Sequence, residues 1–210
     1  MCKEQISMNT KMQIVLATRN KNKIKEIKEI LKDSKIDILT FKDFPNLPHV
    51  KETGKTLKGN AILKAKSAFE FTGLPCLADD SGLEVEALDG APGVSSARFA
   101  GEGCTYSDNN RKLLSQLEGA PWDKRNATFV CVVALALGSR RILTEEGKVF
   151  GYIADKEFGD RGFGYDPVFY FPPRKKTFGE MSPEEKNRIS HRAKAFLRMK
   201  KVIKQRLLLR

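Results

Sequence analysis

The chain has 210 residues, with 38 Lys and Arg against 26 Asp and Glu, for a formal net charge of +12. That length suits one sizeable α/β domain, taken here as residues 13–210 behind a polar, flexible extension over residues 1–12. The longest apolar run, Phe129–Leu137, is too short for a membrane span, and Met1–Lys11 lacks an apolar signal core, so a cytoplasmic protein without membrane partners is expected. The cysteines (Cys2, Cys76, Cys104, Cys131) form no Cys-x-x-Cys pair, and the only histidines are His49 and His191, which leaves zinc sites and disulfide frameworks unsupported.

The charge favours anionic partners. It is concentrated in Lys21–Lys35 and Lys186–Arg210, with no basic stripe interleaved with aromatics, so a solvated basic surface is a better reading than a nucleic-acid interface. No linker or internal repeat divides the chain.

Gln13–Thr18 is an apolar run that reads as a first, buried strand. Asn20 can cap a helix over Lys21–Lys32, where Ile24, Ile27, Ile30 and Leu31 recur at helical spacing. Ile36–Thr40 reads as a second strand and Phe41–Lys55 as a loop. Leu57–Thr72 is a second helix with a small-residue face (Ala61, Ala65, Ala68), stopped by Gly73 and Pro75. Pro75–Glu86 contains a strand with Asp79 and Asp80 near its end, followed by a long loop over Ala87–Gly103.

Ser107–Leu117 is a third helix, and Ala127–Leu137 and Arg140–Ile153 are paired strands turning at Gly138 and Ser139. A Gly- and aromatic-rich loop spans Phe158–Pro173, with a short strand at Val168–Tyr170. Ser182, Pro183 and Glu185 form a capping box that opens a C-terminal helical region, whose apolar spacing runs Ala193, Phe196, Ile203, Leu207.

Several segments carry chemistry. Thr18–Lys23 (TRNKNK) places Thr18, Arg19, Asn20, Lys21, Asn22 and Lys23 where a strand passes into a helix, and unpaired N–H groups at a helix start suit phosphate. Asn60 and Lys64 share one helix face beside Glu52, Thr53 and Gly54. Adjacent strand residues face opposite ways, so Asp79 and Asp80 have different tasks, one holding metal or activating water and the other fixing a cation. Asp80-Ser81-Gly82 is also good turn chemistry, although a turn needs only one of the acids.

In Gly162–Asp166, Phe163 lies between glycines that permit close approach to a base, with Gly164, Tyr165 and the acceptor Asp166 following; a hydrophobic turn that buries Tyr165 and Phe169 is equally compatible. In one unbroken helix Lys186 and His191 would lie about 140° apart. A break at Ser190 would turn His191 and Arg192 inward, whereas an ordinary basic surface helix needs no break.

Taken in series, TRNKNK (18–23), ETGKTLKGNAILKAK (52–66), LADDSGLEVEALDGAPGVSSARFAGE (77–102), GFGYDPVF (162–169) and MSPEEKNRISHRAKA (181–195) resemble the inosine triphosphate pyrophosphatase family from about Ile14 to Phe196. The resemblance implies an elongated mixed central sheet flanked by helices, two lobes with an active-site cleft between them, and a homodimer. It implies a triphosphate held by Thr18, Asn20 and Lys23 near Asn60 and Lys64, and Mg2+ held by Glu52 and Asp80. Asp80 would be the catalytic base, supported by Asp79 and with Lys64 also catalytic, and Ser81 would touch substrate. Phe163–Asp166, Lys186, His191 and Arg192 would form the nucleotide pocket. Arg19 stands where some relatives have Gly, Leu57 replaces a frequent Phe, and Gly179 replaces a frequent Ala; none of these is an implied ligand.

The expected activity is Mg2+-dependent hydrolysis of non-standard purine nucleoside triphosphates (ITP, dITP, XTP) to monophosphate and pyrophosphate, cleansing the nucleotide pool. The alternatives are a pyrophosphatase for other modified nucleotides, a phosphate-binding regulatory module, and a non-enzymatic nucleic-acid-binding protein. The last is disfavoured by the acids at 52, 79 and 80.

Overall fold

The computed structural model describes residues 11–32 and 35–208. The expected N-terminal extension, apart from Lys11 and Met12, lies outside the described residues. Among the described residues the sheet has seven strands: β1 (Met12–Leu16), β2 (Ile36–Leu39), β3 (Cys76–Val85), β4 (Asn126–Ala136), β5 (Ile142–Ile153), β6 (Phe169–Phe171) and β7 (Lys176–Thr177). Their order is β2-β1-β3-β4-β5-β6-β7; β1 runs parallel to β2 and β3, and every later pairing is antiparallel. This is the mixed sheet that the resemblance implies. The long β4–β5 ribbon gives it its length.

Among the described residues five α-helices flank the sheet: α1 (Lys21–Ile30), α2 (Leu57–Thr72), α3 (Tyr106–Gln116), α4 (Pro183–Ile189) and α5 (His191–Ile203). The apolar stripes of α1 and α5 cover one face, where Ile27, Ile30, Phe196 and Met199 pack on Ile14, Leu16, Leu77 and Cys131. The small face of α2 covers the other, where Ala61 and Ala65 pack on Ala78, Val130, Val132 and Ala134. A separate core forms farther along the sheet around Leu83, Leu113, Phe129, Phe169 and Phe178. Among the described residues no helix is long and apolar enough to cross a membrane.

Most element types and bounds agree with the sequence reading, with one instructive exception. Asp80-Ser81-Gly82 does not turn: β3 runs on through Val85, because Cys76 to Val85 pair without interruption with β4. What ends there is β1, whose pairing with β3 stops at Leu77. The two acids therefore sit inside a strand but just past its last parallel neighbour, at an open edge. The Ala87–Gly103 stretch, read as loop, holds two short 3-10 helices, Glu86–Leu88 and Gly93–Arg98.

The packing of α5 on β5 leaves no room at Gly147, where a Cβ would lie 2.2 Å from the His191 carbonyl oxygen and 2.5 Å from Ala195 N. Gly147→Ala is therefore expected to push α5 outward and lower the unfolding free energy by about 1–3 kcal/mol, measured by urea denaturation. An unchanged midpoint would contradict that close fit.

Candidate active site

Three chain segments converge on the open edge of β3, and local sequence explains each. Asn20 caps α1, its Oδ1 accepting from Asn22 N and Lys23 N at 3.0 and 3.2 Å. Thr56 caps α2, and Gly54 lies against it so closely that a Cβ there would meet Asn60 Oδ1 at 2.5 Å. Ser182 caps α4 in a full capping box, and Ser190 both ends α4 and caps α5 through Ala193 N at 3.1 Å. The break at Ser190 is thus present, and it brings Lys186, His191 and Arg192 to one side, all three buried.

Strand alternation separates the two acids. Asp79, 1% exposed, faces α1 and α5, with Lys23 Nζ at 3.0 Å and Arg192 Nε at 3.4 Å from its Oδ2. Burial pushes its pKa up, but Lys23, Arg192 and Lys64 outweigh that and hold the carboxyl well below the usual range. Arg192, 2% exposed, also donates to Glu26 Oε2 at 2.5 Å and Ser81 Oγ at 3.2 Å. Lys186 Nζ bridges Glu26 Oε1 at 2.8 Å and Asp166 Oδ2 at 2.5 Å, over the Phe163 ring at 4.8 Å.

Asp80 faces α2. Asn60 Nδ2 donates to its Oδ2 at 3.1 Å, and Lys64 Nζ lies 2.9 Å from its Oδ1 and 2.8 Å from Glu52 Oε1. Burial, joined by the nearby Glu52, raises the Asp80 pKa despite Lys64 and Lys23. A base with an elevated pKa is better matched to proton transfer near neutrality. Glu52 and Asp80 thus present carboxylate oxygens to a single cation, Lys64. Hard oxygen donors from two carboxylates, completed by substrate phosphates and water, are the set that Mg2+ takes. Among the described residues no group of three or more His, Cys, Asp or Glu forms an all-protein metal site.

The cavity over these groups holds about 290 Å³ and is lined by Thr18, Arg19, Asn20, Lys23, Glu52, Lys64, Asp80, Ser81, Phe163, Gly164, Tyr165, Asp166, His191 and Arg192. Other expected site residues lie elsewhere. Lys21 and Asn22 are exposed and outside the lining, and Arg19 spends a guanidinium N–H on the Leu47 carbonyl at 2.8 Å. Asp79, Asn60 and Lys186 lie beneath the floor, Asn60 also accepting from Gly54 N at 2.8 Å. In the Gly162–Asp166 loop Tyr165 is buried and donates to the Ser96 carbonyl at 2.9 Å, as the hydrophobic-turn reading expects, while Phe163 stays partly open to the cleft.

Sequence reasoning missed Glu26, Phe129 and the cleft-lining stretch Leu47–Val50. Glu26 was within reach: it lies three residues after Lys23 and four before Ile30, on the face that carries both. Phe129 stacks on His191 at 4.5 Å and 12°. Burial, then Arg192 and Lys186, depress the His191 pKa far below its ordinary value, so the imidazole is neutral at pH 7, and its Nδ1 is buried without a hydrogen-bond partner among the described residues.

Glu26 is held below its ordinary pKa of 4.5 because Arg192 and Lys186 overcome the effect of burial. A depressed carboxyl contributes stability above the unfolded pKa and loses it as pH falls through the folded one. Glu26→Gln leaves Arg192 and Lys186 each with one of its two carboxylate partners, Asp79 and Asp166, and is expected to cost about 3 kcal/mol at neutral pH. In paired urea denaturations the gap from wild type should narrow as the pH falls below 4.5, and a constant gap would contradict the ion-pair account.

Comparison with known proteins agrees with this architecture. Residues 14–202 match the model of the Ham1 family. A dITP/XTP pyrophosphatase of Desulforamulus reducens is 52% identical over 91% of this chain and 96% of its own length. A dITP/XTP pyrophosphatase of Geobacillus kaustophilus is 47% identical over 89% and 92%. Among solved structures, a HAM1 protein from Coxiella burnetii superposes with a TM-score of 0.85 at 43% identity, covering 92% of this chain and 99% of that one. With its family's fold and nearly its full length, the chain belongs to the Ham1 family.

Proposed function

We propose that this protein hydrolyses deaminated purine nucleoside triphosphates (ITP, dITP, XTP) to the monophosphate and pyrophosphate, with Mg2+, as a cytoplasmic homodimer. The observation that carries the reading is one cleft joining a cation and carboxylate cluster (Lys23, Lys64, Glu52, Asp80) to an aromatic, donor-rich end (Phe163, His191, Arg192). The names of the Desulforamulus and Geobacillus relatives, dITP/XTP pyrophosphatase, support two of these substrates.

At the phosphate end, Asp80 orients an attacking water and accepts its proton, and the water's oxygen adds in line to the α-phosphorus as the bond to the β-phosphate oxygen breaks. Lys23 and Lys64 offset the charge growing on the leaving pyrophosphate. Mg2+ held by Glu52, Asp80 and phosphate oxygens would supply further charge neutralisation. Lys64, with its pKa raised by Asp80, Asp79 and Glu52 against burial, stays cationic throughout.

At the other end, hypoxanthine and xanthine offer a carbonyl at C6 beside an N1–H. Arg192 has N–H groups beyond its bonds to Asp79, Glu26 and Ser81, and Asp166 is an acceptor in the same lining. Adenine presents the reverse pair, leaving buried groups unmatched, a mismatch that can discriminate by roughly 10⁴.

Asp80→Asn is expected to lower kcat at least about 10³-fold with the circular-dichroism spectrum unchanged. Wild-type-like turnover would remove Asp80 from the mechanism. Across a panel of ITP, dITP, XTP, GTP and ATP, with pyrophosphate identified as product, the first three should be cleaved far faster than ATP. Equal rates would defeat the base-reading account.

A further inference from the structure

Tyr106, at the start of α3, lies outside every motif that carries the family resemblance, yet it touches both ends of the cleft. Its ring centroid lies 6.0 Å from that of Phe163, the planes tilted by 44°, and its Oη accepts from Asn20 Nδ2 at 3.2 Å. Although 43% exposed, it is firmly placed. Thr105 and Asp108 cap α3 reciprocally, and Asn110 Nδ2 donates to the Gly164 carbonyl at 3.2 Å. Asn109 accepts from Ala100 N at 2.7 Å and donates to the Ala97 carbonyl at 3.3 Å. Tyr106 also lines the cavity.

The hydroxyl uses only an acceptor lone pair in its bond with Asn20, and its own O–H has no acceptor among the described residues. Accepting one bond strengthens the bond such a group donates. A nucleotide lying with its base at Phe163 and its phosphates at Asn20 must carry its sugar and first phosphate past this hydroxyl.

We propose that Tyr106 is a further substrate-binding residue, donating a hydrogen bond to an oxygen of the nucleotide's sugar or α-phosphate. The proposal rests on the nucleotide reading of the cleft. Its acceptor is either the sugar 2′-hydroxyl or an oxygen common to ribo- and deoxyribonucleotides.

Tyr106→Phe keeps the ring against Phe163 and removes only the donor. Calorimetric binding of ITP and dITP without metal, together with KM and kcat in its presence, separates the possibilities. The expected result is a rise in Kd and KM of about three- to ten-fold with kcat little changed, the size of one net hydrogen bond. A rise for ITP alone assigns the 2′-hydroxyl, and a rise for both substrates assigns the shared oxygen. Binding of both at wild-type strength, in a variant whose unfolding midpoint is unchanged, would overturn the proposal. Should the wild type bind ITP without releasing pyrophosphate, the hydrolytic reading fails while the binding comparison still decides on Tyr106.

Discussion

A carboxylate fully buried in a central strand is the constraint around which this molecule is arranged. Asp79 cannot remain ionised there unless cations are brought to it, since an unpaired buried ion costs several kcal/mol. The cations come from two helices, Lys23 on α1 and Arg192 on α5. Arg192 needs Glu26, Glu26 also takes Lys186, and Lys186 takes Asp166. Three cations and three anions alternate along this chain of contacts. It joins α1, β3, α4, α5 and the Gly162–Asp166 loop, which are the elements that must meet for the cleft to have a floor.

The neighbouring acid reaches the opposite face through strand alternation alone. Asp80 and Glu52 share Lys64, with Asn60 fixing both Asp80 and the Gly54 backbone. One network is therefore mostly buried and sets positions, reaching the cleft at Lys23, Arg192 and Asp166, while the other is half-open and faces the cleft. The difference shows in their acidities: Asp79 is driven down by its cations, and Asp80 is pushed up by burial and by Glu52. Asp80 is the carboxylate suited to handle a proton.

Much of this arrangement is legible in local signals of the amino-acid sequence. The separation of Asp79 from Asp80 follows from a period of two, and the inward turn of His191 and Arg192 follows from reading Ser190 as a second cap. The turn reading of Asp80-Ser81-Gly82 fails because ten residues of pairing with β4 outweigh a local preference. Glu26 is hidden among lysines, where an acid on a basic helix resembles a surface charge. Phe129 looks like plain core, and its stacking on His191 depends on which end of β4 meets α5. The Leu47–Val50 stretch has no periodicity to read; it reaches the cleft because Arg19 holds the Leu47 carbonyl and Leu47 is buried beside Val15 and Ala68.

If Asp80 addresses water to the α-phosphorus, the bond that breaks and the atom that gains oxygen are both determined. Hydrolysis of ITP in water enriched in 18O tests this most directly, by mass spectrometry of the products. The label is predicted on inosine monophosphate, with the released pyrophosphate unlabelled. Label in pyrophosphate, or release of labelled orthophosphate, would mean that attack falls on another phosphorus and that the two carboxylates do not serve the α-phosphate.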